Sequence, residues 1–216
     1  MGLNIGNLRL PPGIDEDYVI EWRRRTWGPA LGAALASMGP LEGQRLLELG
    51  PNSGRISSLF AYNGAQVVGA ELEGMDLSKA ISESKRWGVA GNVEFIRYSG
   101  RPEDLPEGPF DLVFSKSVLV VVPQLDRFLK GLTNSLTANG RLVCVENARG
   151  GRLLNTARRF KRSHWAWLQA NNFSGVSADF MGDLGSAFKD VRVLYRNPFA
   201  YAIEASRPIT VGQTST

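Results

Sequence analysis

The chain has 216 residues, 43% hydrophobic and 21% charged, with a formal net charge of +4. That length suffices to bury the core of one domain. No run of about 18 apolar residues occurs, so no membrane span is expected. The single cysteine, Cys144 in "RLVCVEN", excludes an internal disulfide and a cysteine-built zinc site.

The first residues, "MGLNIGNLRLPPG", lack a basic head followed by an apolar stretch, so no secretory signal is expected. Gly6 stands where a myristoylation signal needs Ser or Thr. With one cysteine in an apolar run, a reducing, cytoplasmic setting is expected. Residues 1–14 read as a Gly/Pro-rich arm. From Asp15 to Met38 the apolar pattern is helical, and Pro29 is expected to divide it into two helices. Residues 1–40 thus form an arm with helices able to act as a lid. Tyr18, Trp22 and Trp27 are its candidate substrate contacts, with ordinary packing as the alternative for each.

Strands and helices then alternate. "QRLLELG", "QVVGAEL", "VEFIRYS", "FDLVFSKSVL" and "RLVCVEN" read as five strands. Between them lie the helical stretches "GRISSLFAYNGA", stopping at Asn63-Gly64, "DLSKAISESKRWGV", stopping at Gly88, and "LDRFLKGLTNSLTANG", stopping at Asn139-Gly140. Five alternations imply a parallel sheet covered on both faces. "SADFMGDLGSAF" is a further helix with Ser177 as its N-cap. "DVRVLYR" and "AYAIEAS" follow, joined only by Asn197-Pro198-Phe199, which is too short for a helical crossover and predicts an antiparallel hairpin. Residues 208–216 read as a frayed tail. The fold class is therefore α/β: a Rossmann-like, doubly wound, mostly parallel seven-stranded sheet over 41–207, ending in an antiparallel hairpin.

In open α/β sheets ligands bind beyond the carboxyl ends of the strands, where the strand order reverses. The first strand ends in "ELGPNSG", whose glycines permit positive φ and a close ligand approach, although any tight strand-to-helix turn uses glycine. Glu71 ends the second strand, 21 residues after Gly50. A carboxylate there can accept both ribose hydroxyls of a nucleoside, or be solvated at a strand end. A dinucleotide oxidoreductase also carries such an acid, but expects G-x-G-x-x-G. Here only Gly50 and Gly54 are present, with Ser53 and Arg55 between and after.

"LLELGPNSG", "GAELEGMDLSKA", "GRPEDLPEGPFDLVFS" and "LTNSLTANGRLVCVE", with the terminal hairpin, resemble the successive motifs of the class I S-adenosylmethionine-dependent methyltransferases over Leu41 to Arg207. The resemblance implies S-adenosylmethionine as cofactor. Glu48, Gly50, Asn52 and Gly54 would border its methionine part, Glu71 its ribose, Leu72, Gly100 and Arg101 its adenine, and Ser115 and Lys116 its sulfonium. Two positions depart from the pattern. Asn52 replaces the middle glycine, and asparagine tolerates positive φ. Arg101 stands where an acid often receives the adenine amino group, leaving a backbone contact or Ser99.

Absences narrow the chemistry. After the fourth strand there is no Asn/Asp-Pro-Pro-Tyr/Phe, so exocyclic amino groups of bases are not expected targets, and Ser115 stands where an Asp would begin a magnesium site. No metal is expected, although Glu146 and Asn147 could touch a ligand. Residues 148–175 exceed the minimal fold and are expected to shape the substrate pocket. On a helix, Leu153, Ala157, Phe160, His164, Trp167 and Leu168 share one face. His164 is then either a hydrogen-bonded wall residue or the catalytic general base. Phe160 and Trp167 either pack or contact substrate. Six basic residues and no acid occupy 149–162. Among them Arg158, Arg159 and Arg162 form either a solvated face or a surface for a membrane or an anionic substrate. No RNA-binding module accompanies them, so nucleic acid is not an expected partner.

The function expected is metal-independent methyl transfer to an oxygen or nitrogen of a small or medium-sized metabolite. The alternatives are a lipid or glycan acceptor at a membrane surface, and a non-catalytic cofactor-binding partner subunit.

Overall fold

The computed structural model describes residues 4–20, 24–148 and 175–209. Trp22, His164, Phe160, Trp167, the basic residues Arg158, Arg159 and Arg162, and nearly all of the expected insertion lie outside the described residues.

Seven strands form one sheet in the order β3-β2-β1-β4-β5-β7-β6. They are β1 (Arg45–Leu49), β2 (Gln66–Leu72), β3 (Val93–Tyr98), β4 (Phe110–Lys116), β5 (Leu136–Asn147), β6 (Phe188–Arg196) and β7 (Ala200–Pro208). The first five are parallel to one another, whereas β7 runs antiparallel to both β5 and β6. Residues at the centre are apolar on both faces: Leu46, Leu47 and Leu49 of β1 and Leu112, Val113 and Phe114 of β4 are all buried. A strand sandwiched between two helical layers has no wet face, hence its continuous apolar run. The sheet is the Rossmann-like, mostly parallel one that the motif order implies.

The helices are α1 (Glu16–Ile20), α2 (Arg24–Ser37), α3 (Arg55–Tyr62), α4 (Ser78–Arg86), α5 (Leu125–Asn134) and α6 (Ala178–Ala187). Residues of α1 to α3 pack one face of the sheet, with Leu31, Leu35, Leu59 and Phe60 meeting Leu46, Leu112 and Phe114. Phe60 meets Phe114 edge to face, centroids 5.2 Å apart. α5 and α6 cover the other face through Phe128, Leu129, Leu132, Phe180 and Leu184. The Ser177 hydroxyl caps α6, accepting the Phe180 N–H at 3.2 Å. The hairpin turns on Asn197, whose side-chain oxygen accepts the N–H groups of Phe199 and Ala200 at 2.8 Å each.

Three boundaries differ from the sequence expectation. Pro29 lies inside α2 rather than between helices. It forgoes one ladder bond, to the Arg25 carbonyl, in an otherwise Ala/Leu-rich run of good helix formers. α5 ends at Asn134, five residues before Asn139, and "LTANG" begins β5. Pairing across the sheet decides this: the Phe110 N–H donates to the Ser135 carbonyl at 2.8 Å, Leu136 pairs with Phe110, and the register then shifts to Leu112 with Arg141. The tail starts later than 208, since β7 runs to Pro208 and the Ile209 N–H donates to Ala187.

Candidate cofactor and substrate site

Strand order reverses between β1 and β4, where Leu49 pairs with Ser115. The cavity beyond their carboxyl ends is lined by four of the described candidates, Trp27, Gly50, Asn52 and Lys116. On the β1 side the chain turns through Gly50 (φ 69°), Asn52 (φ 49°) and Gly54 (φ 77°). The left-handed conformation is open to glycine and, among other residues, most readily to asparagine. A Cβ on Gly54 would lie 2.7 Å from the Ala80 Cα of α4, and one on Gly50 the same distance from the Val118 side chain. Both glycines are therefore required by φ and by packing. Asn52 meets only the first demand, so the turn keeps its shape without a third glycine.

Glu48 is buried, and its carboxylate accepts a hydrogen bond from the Ser57 hydroxyl of α3. It ties β1 to the helix that follows the turn. Glu71, next to last in β2, has its carboxylate over that turn: Oε2 accepts the Asn52 N–H at 3.1 Å, and Oε1 accepts the Leu72 N–H at 3.0 Å. Each carboxylate oxygen has two acceptor sites, so each retains one beyond these bonds. Below it, burial and then the Glu71 charge push the Tyr98 phenol up to about 12, keeping it neutral. Leu72 is 46% exposed, an unusual state for leucine at a strand end. It lies beside Gly100 (φ 83°), where a Cβ would come within 2.9 Å of Leu72 Cδ2. The Arg101 side chain is exposed, and its N–H donates to Ser99 Oγ at 3.3 Å. Ser99 in turn donates to the Asp104 carboxylate. Asp104, of "PED" at 102–104, is thus the carboxylate held beside Arg101 through Ser99.

On the β4 side alternation separates two neighbours. Ser115 is fully buried, and its hydroxyl donates to Glu146 Oε1 at 3.1 Å. Lys116 instead lines a cavity of about 120 Å³ with Ile20, Trp27, Leu31, Gly50, Asn52 and Ser117. Trp27 joins Gly50 and Lys116 at this wall. Tyr18 does not line it; two guanidinium groups, of Arg55 and Arg86, lie over its ring at 3.9 and 4.7 Å from the centroid.

Glu146 plays a larger part than the sequence indicates. It is fully buried at the end of β5, and Oε1 also accepts the N–H groups of Val118 and Leu119 at 3.3 and 3.0 Å. Oε2 has no hydrogen-bond partner among the described residues. Burial raises its carboxyl to about 7, against those hydrogen bonds. Ser117, a non-glycine residue at φ 61°, is held by its N–H to the Val145 carbonyl at 2.9 Å and by Asn147, which donates to its hydroxyl at 3.0 Å. The one sequence signal for this cluster is an acid-amide pair after an apolar strand. The ends of the expected insertion meet here too: Ala148 bridges Val176, whose N–H donates to the Asn147 carbonyl at 2.9 Å.

Comparison with known proteins agrees with this geometry. Residues 47–144 match the methyltransferase domain family. A ubiquinone/menaquinone biosynthesis C-methyltransferase, UbiE, of Pseudoalteromonas translucida is 23% identical over 128 residues, covering 58% of this chain and 48% of its own length. The chain spans about half the length of the curated relatives it matches. Among solved structures, an S-adenosylmethionine-dependent methyltransferase from Mesorhizobium loti has a TM-score of 0.59 at 16% identity, covering 81% of this chain and 96% of that one. The N-methyltransferase NodS of Bradyrhizobium japonicum, in complex with S-adenosyl-L-homocysteine, has a TM-score of 0.58 at 15% identity, covering 83% and 84%. The fold is that of the class I S-adenosylmethionine-dependent methyltransferases. No helix among the described residues is long and apolar enough to cross a membrane.

Proposed function

We propose that this chain, which carries a methyltransferase domain, transfers a methyl group from S-adenosylmethionine to an oxygen or nitrogen of a small or medium-sized acceptor, without a metal. The observation that carries the reading is Glu71. Two backbone N–H groups, of Asn52 and Leu72, fix its carboxylate over the first turn, leaving one acceptor site on each oxygen. Two vicinal ribose hydroxyls match that pair of acceptors. Leu72 and Gly100 offer the adjacent base an apolar edge, and Asp104 an anionic one through Ser99.

The cofactor supplies an electrophilic methyl on a sulfonium. The chain's residues then position and dry the reaction, which needs nucleophile, methyl and sulfur in line. Gly50 and Asn52 let the backbone approach, while Ile20, Trp27 and Leu31 present apolar surface opposite. Methyl transfer would remove the sulfonium's positive charge, a change that the water-poor wall of Ile20, Trp27 and Leu31 would favour. His164 is our candidate to take the acceptor proton, with Phe160 and Trp167 beside the acceptor. A reducing, cytoplasmic setting suits the buried free thiol of Cys144. The names of the curated relatives favour a second reading, in which the acceptor atom is carbon.

Isothermal calorimetry with S-adenosylmethionine and S-adenosylhomocysteine tests the proposal. Both should bind. Glu71→Ala should weaken them about 100-fold, roughly 3 kcal/mol for hydrogen bonds to a charged acceptor. Absence of binding to wild type would reject the reading. Binding without turnover on any acceptor class would point to the non-catalytic partner subunit.

A further inference from the structure

α1 carries two acidic residues, Glu16 and Asp17, in its first turn. Yet it buries Val19 and Ile20, and Ile20 lines the cavity beside Gly50. Tyr18, on the same helix, makes an unusual set of bonds to α3 and α4. Its hydroxyl donates to the Glu83 carboxylate at 2.8 and 2.9 Å and accepts from the Arg86 guanidinium. Arg55 stacks on its ring and donates from Nη1 to its carbonyl at 2.9 Å. Glu83 is itself pre-set, accepting the Trp87 indole N–H at 2.6 Å. Asp15 caps the helix by accepting the Tyr18 N–H at 2.8 Å.

The partners lie far along the chain yet close to the site. Arg55 directly follows Gly54, where an added Cβ would lie 2.7 Å from the Ala80 Cα of α4. The first turn, α4 and α1 are thereby joined at one aromatic ring. Both ends of that ring serve protein groups, a role different from stacking on a sulfonium. Burial foremost, then the Glu83 carboxylate, raises the phenol above its ordinary value, so it remains a neutral donor.

We propose that Tyr18 is a positioning residue that latches α1 over the crevice, so that ligand residence in the cavity is set by release of Tyr18 from Arg55, Glu83 and Arg86. The inference rests on the cofactor reading above, because the ligand retained is the methyl donor or its demethylated product. A latch lies on the path in both directions. Loosening it speeds release and does not slow entry, whereas damage to the site slows entry or lowers the competent fraction.

The test is stopped-flow tryptophan fluorescence with S-adenosylhomocysteine, which needs no acceptor. Tyr18→Leu removes ring stacking and hydroxyl bonds together and should raise the release rate about ten-fold, with an association rate no lower than wild type. Tyr18→Phe keeps the stacked guanidinium and loses the hydroxyl, and Arg86→Met loses one partner; both should fall between wild type and Tyr18→Leu. If Tyr18→Leu fails to fold by circular dichroism, the two milder variants carry the test. Unchanged release rates, or slower association in proportion to weaker affinity, would overturn the latch while leaving the cofactor site in place. If wild type binds no S-adenosylhomocysteine, the cofactor reading falls first, and the latch with it.

Discussion

At the carboxyl end of β1 the chain turns on glycines, and at the carboxyl end of β4 it turns on Ser117. The first wall is made by removing side chains: Gly50 and Gly54 bring backbone within reach of Val118 and Ala80, with left-handed φ at both. The second is made by adding polar side chains. Ser117 takes φ 61° while Asn147 binds its hydroxyl, and one oxygen of buried Glu146 gathers Ser115, Val118 and Leu119. A left-handed serine costs of the order of 1 kcal/mol and persists only where its surroundings over-determine it. Glycine turns leave a mark in sequence because few residues substitute for them. A polar cluster leaves almost none, because Ser, Glu and Asn occur everywhere.

The comparison breaks most readily at Gly54. A side chain there meets both the left-handed φ of 77° and the Ala80 backbone. Gly54→Val should lower stability by about 4 kcal/mol, combining a φ penalty of roughly 1–2 with overpacking of roughly 1–3. Gly74→Ala is the control, since φ is 86° but nothing lies within 4 Å of its added Cβ. It should cost only the φ component, about 1 kcal/mol. Urea unfolding of the two variants separates the contributions. Equal losses would mean that close packing adds nothing to the first wall.

The second wall responds to pH. Glu146 titrates at about 7 when folded and near its ordinary 4.5 when unfolded. Between those values the folded state holds more protons than the unfolded one, so this group's contribution to stability falls as pH rises. The contribution is fully present below pH 4.5 and lost above about 7, a swing of roughly 3 kcal/mol. Glu146→Gln, neutral throughout, removes the dependence. Relative to wild type, the variant should be about 3 kcal/mol more stable at pH 8 than at pH 4.5 in parallel urea titrations. Parallel profiles for the two proteins would show that Glu146 ionises as an exposed carboxylate does.

The same contrast explains what the sequence discloses. β2 reads as Gln66–Leu72 and the structure has those bounds, because a buried parallel strand is a continuous apolar run between turn signals. Glu71 was visible by its spacing from Gly50. The end of α5 was not, since Asn139-Gly140 has the local chemistry of a helix stop. The decision is taken by Phe110, some 25 residues earlier, pairing with Ser135 and Leu136. Tyr18 looks like any aromatic on a helix until Arg55, Glu83 and Arg86 are folded around it. Burial of Glu146 likewise depends on β4, β5 and the turn after β4 meeting. Local chemistry is legible where the chain's own neighbours decide the conformation; contacts between distant segments are not.

Asn52 offers the finest division between the two ways of building a turn, because it is a side chain standing in a glycine wall. Its φ of 49° is left-handed, but its contribution to Glu71 is a backbone N–H, which any residue but proline supplies. Asn52→Gly should therefore change stability by less than about 1 kcal/mol, with the relief of φ offset by the greater freedom of glycine in the unfolded chain. Its affinity for S-adenosylhomocysteine should stay within about two-fold, well under the 1.4 kcal/mol that a ten-fold change represents. Asn52→Val places a β-branched residue at positive φ and should cost roughly 1–2 kcal/mol, weakening the ligand as the N–H drifts from Glu71. Calorimetry on both variants distinguishes the cases. Loss of binding in Asn52→Gly would assign the asparagine side chain a direct role at the ligand; equal behaviour of glycine and valine would show that the left-handed turn is not what holds Glu71 in place.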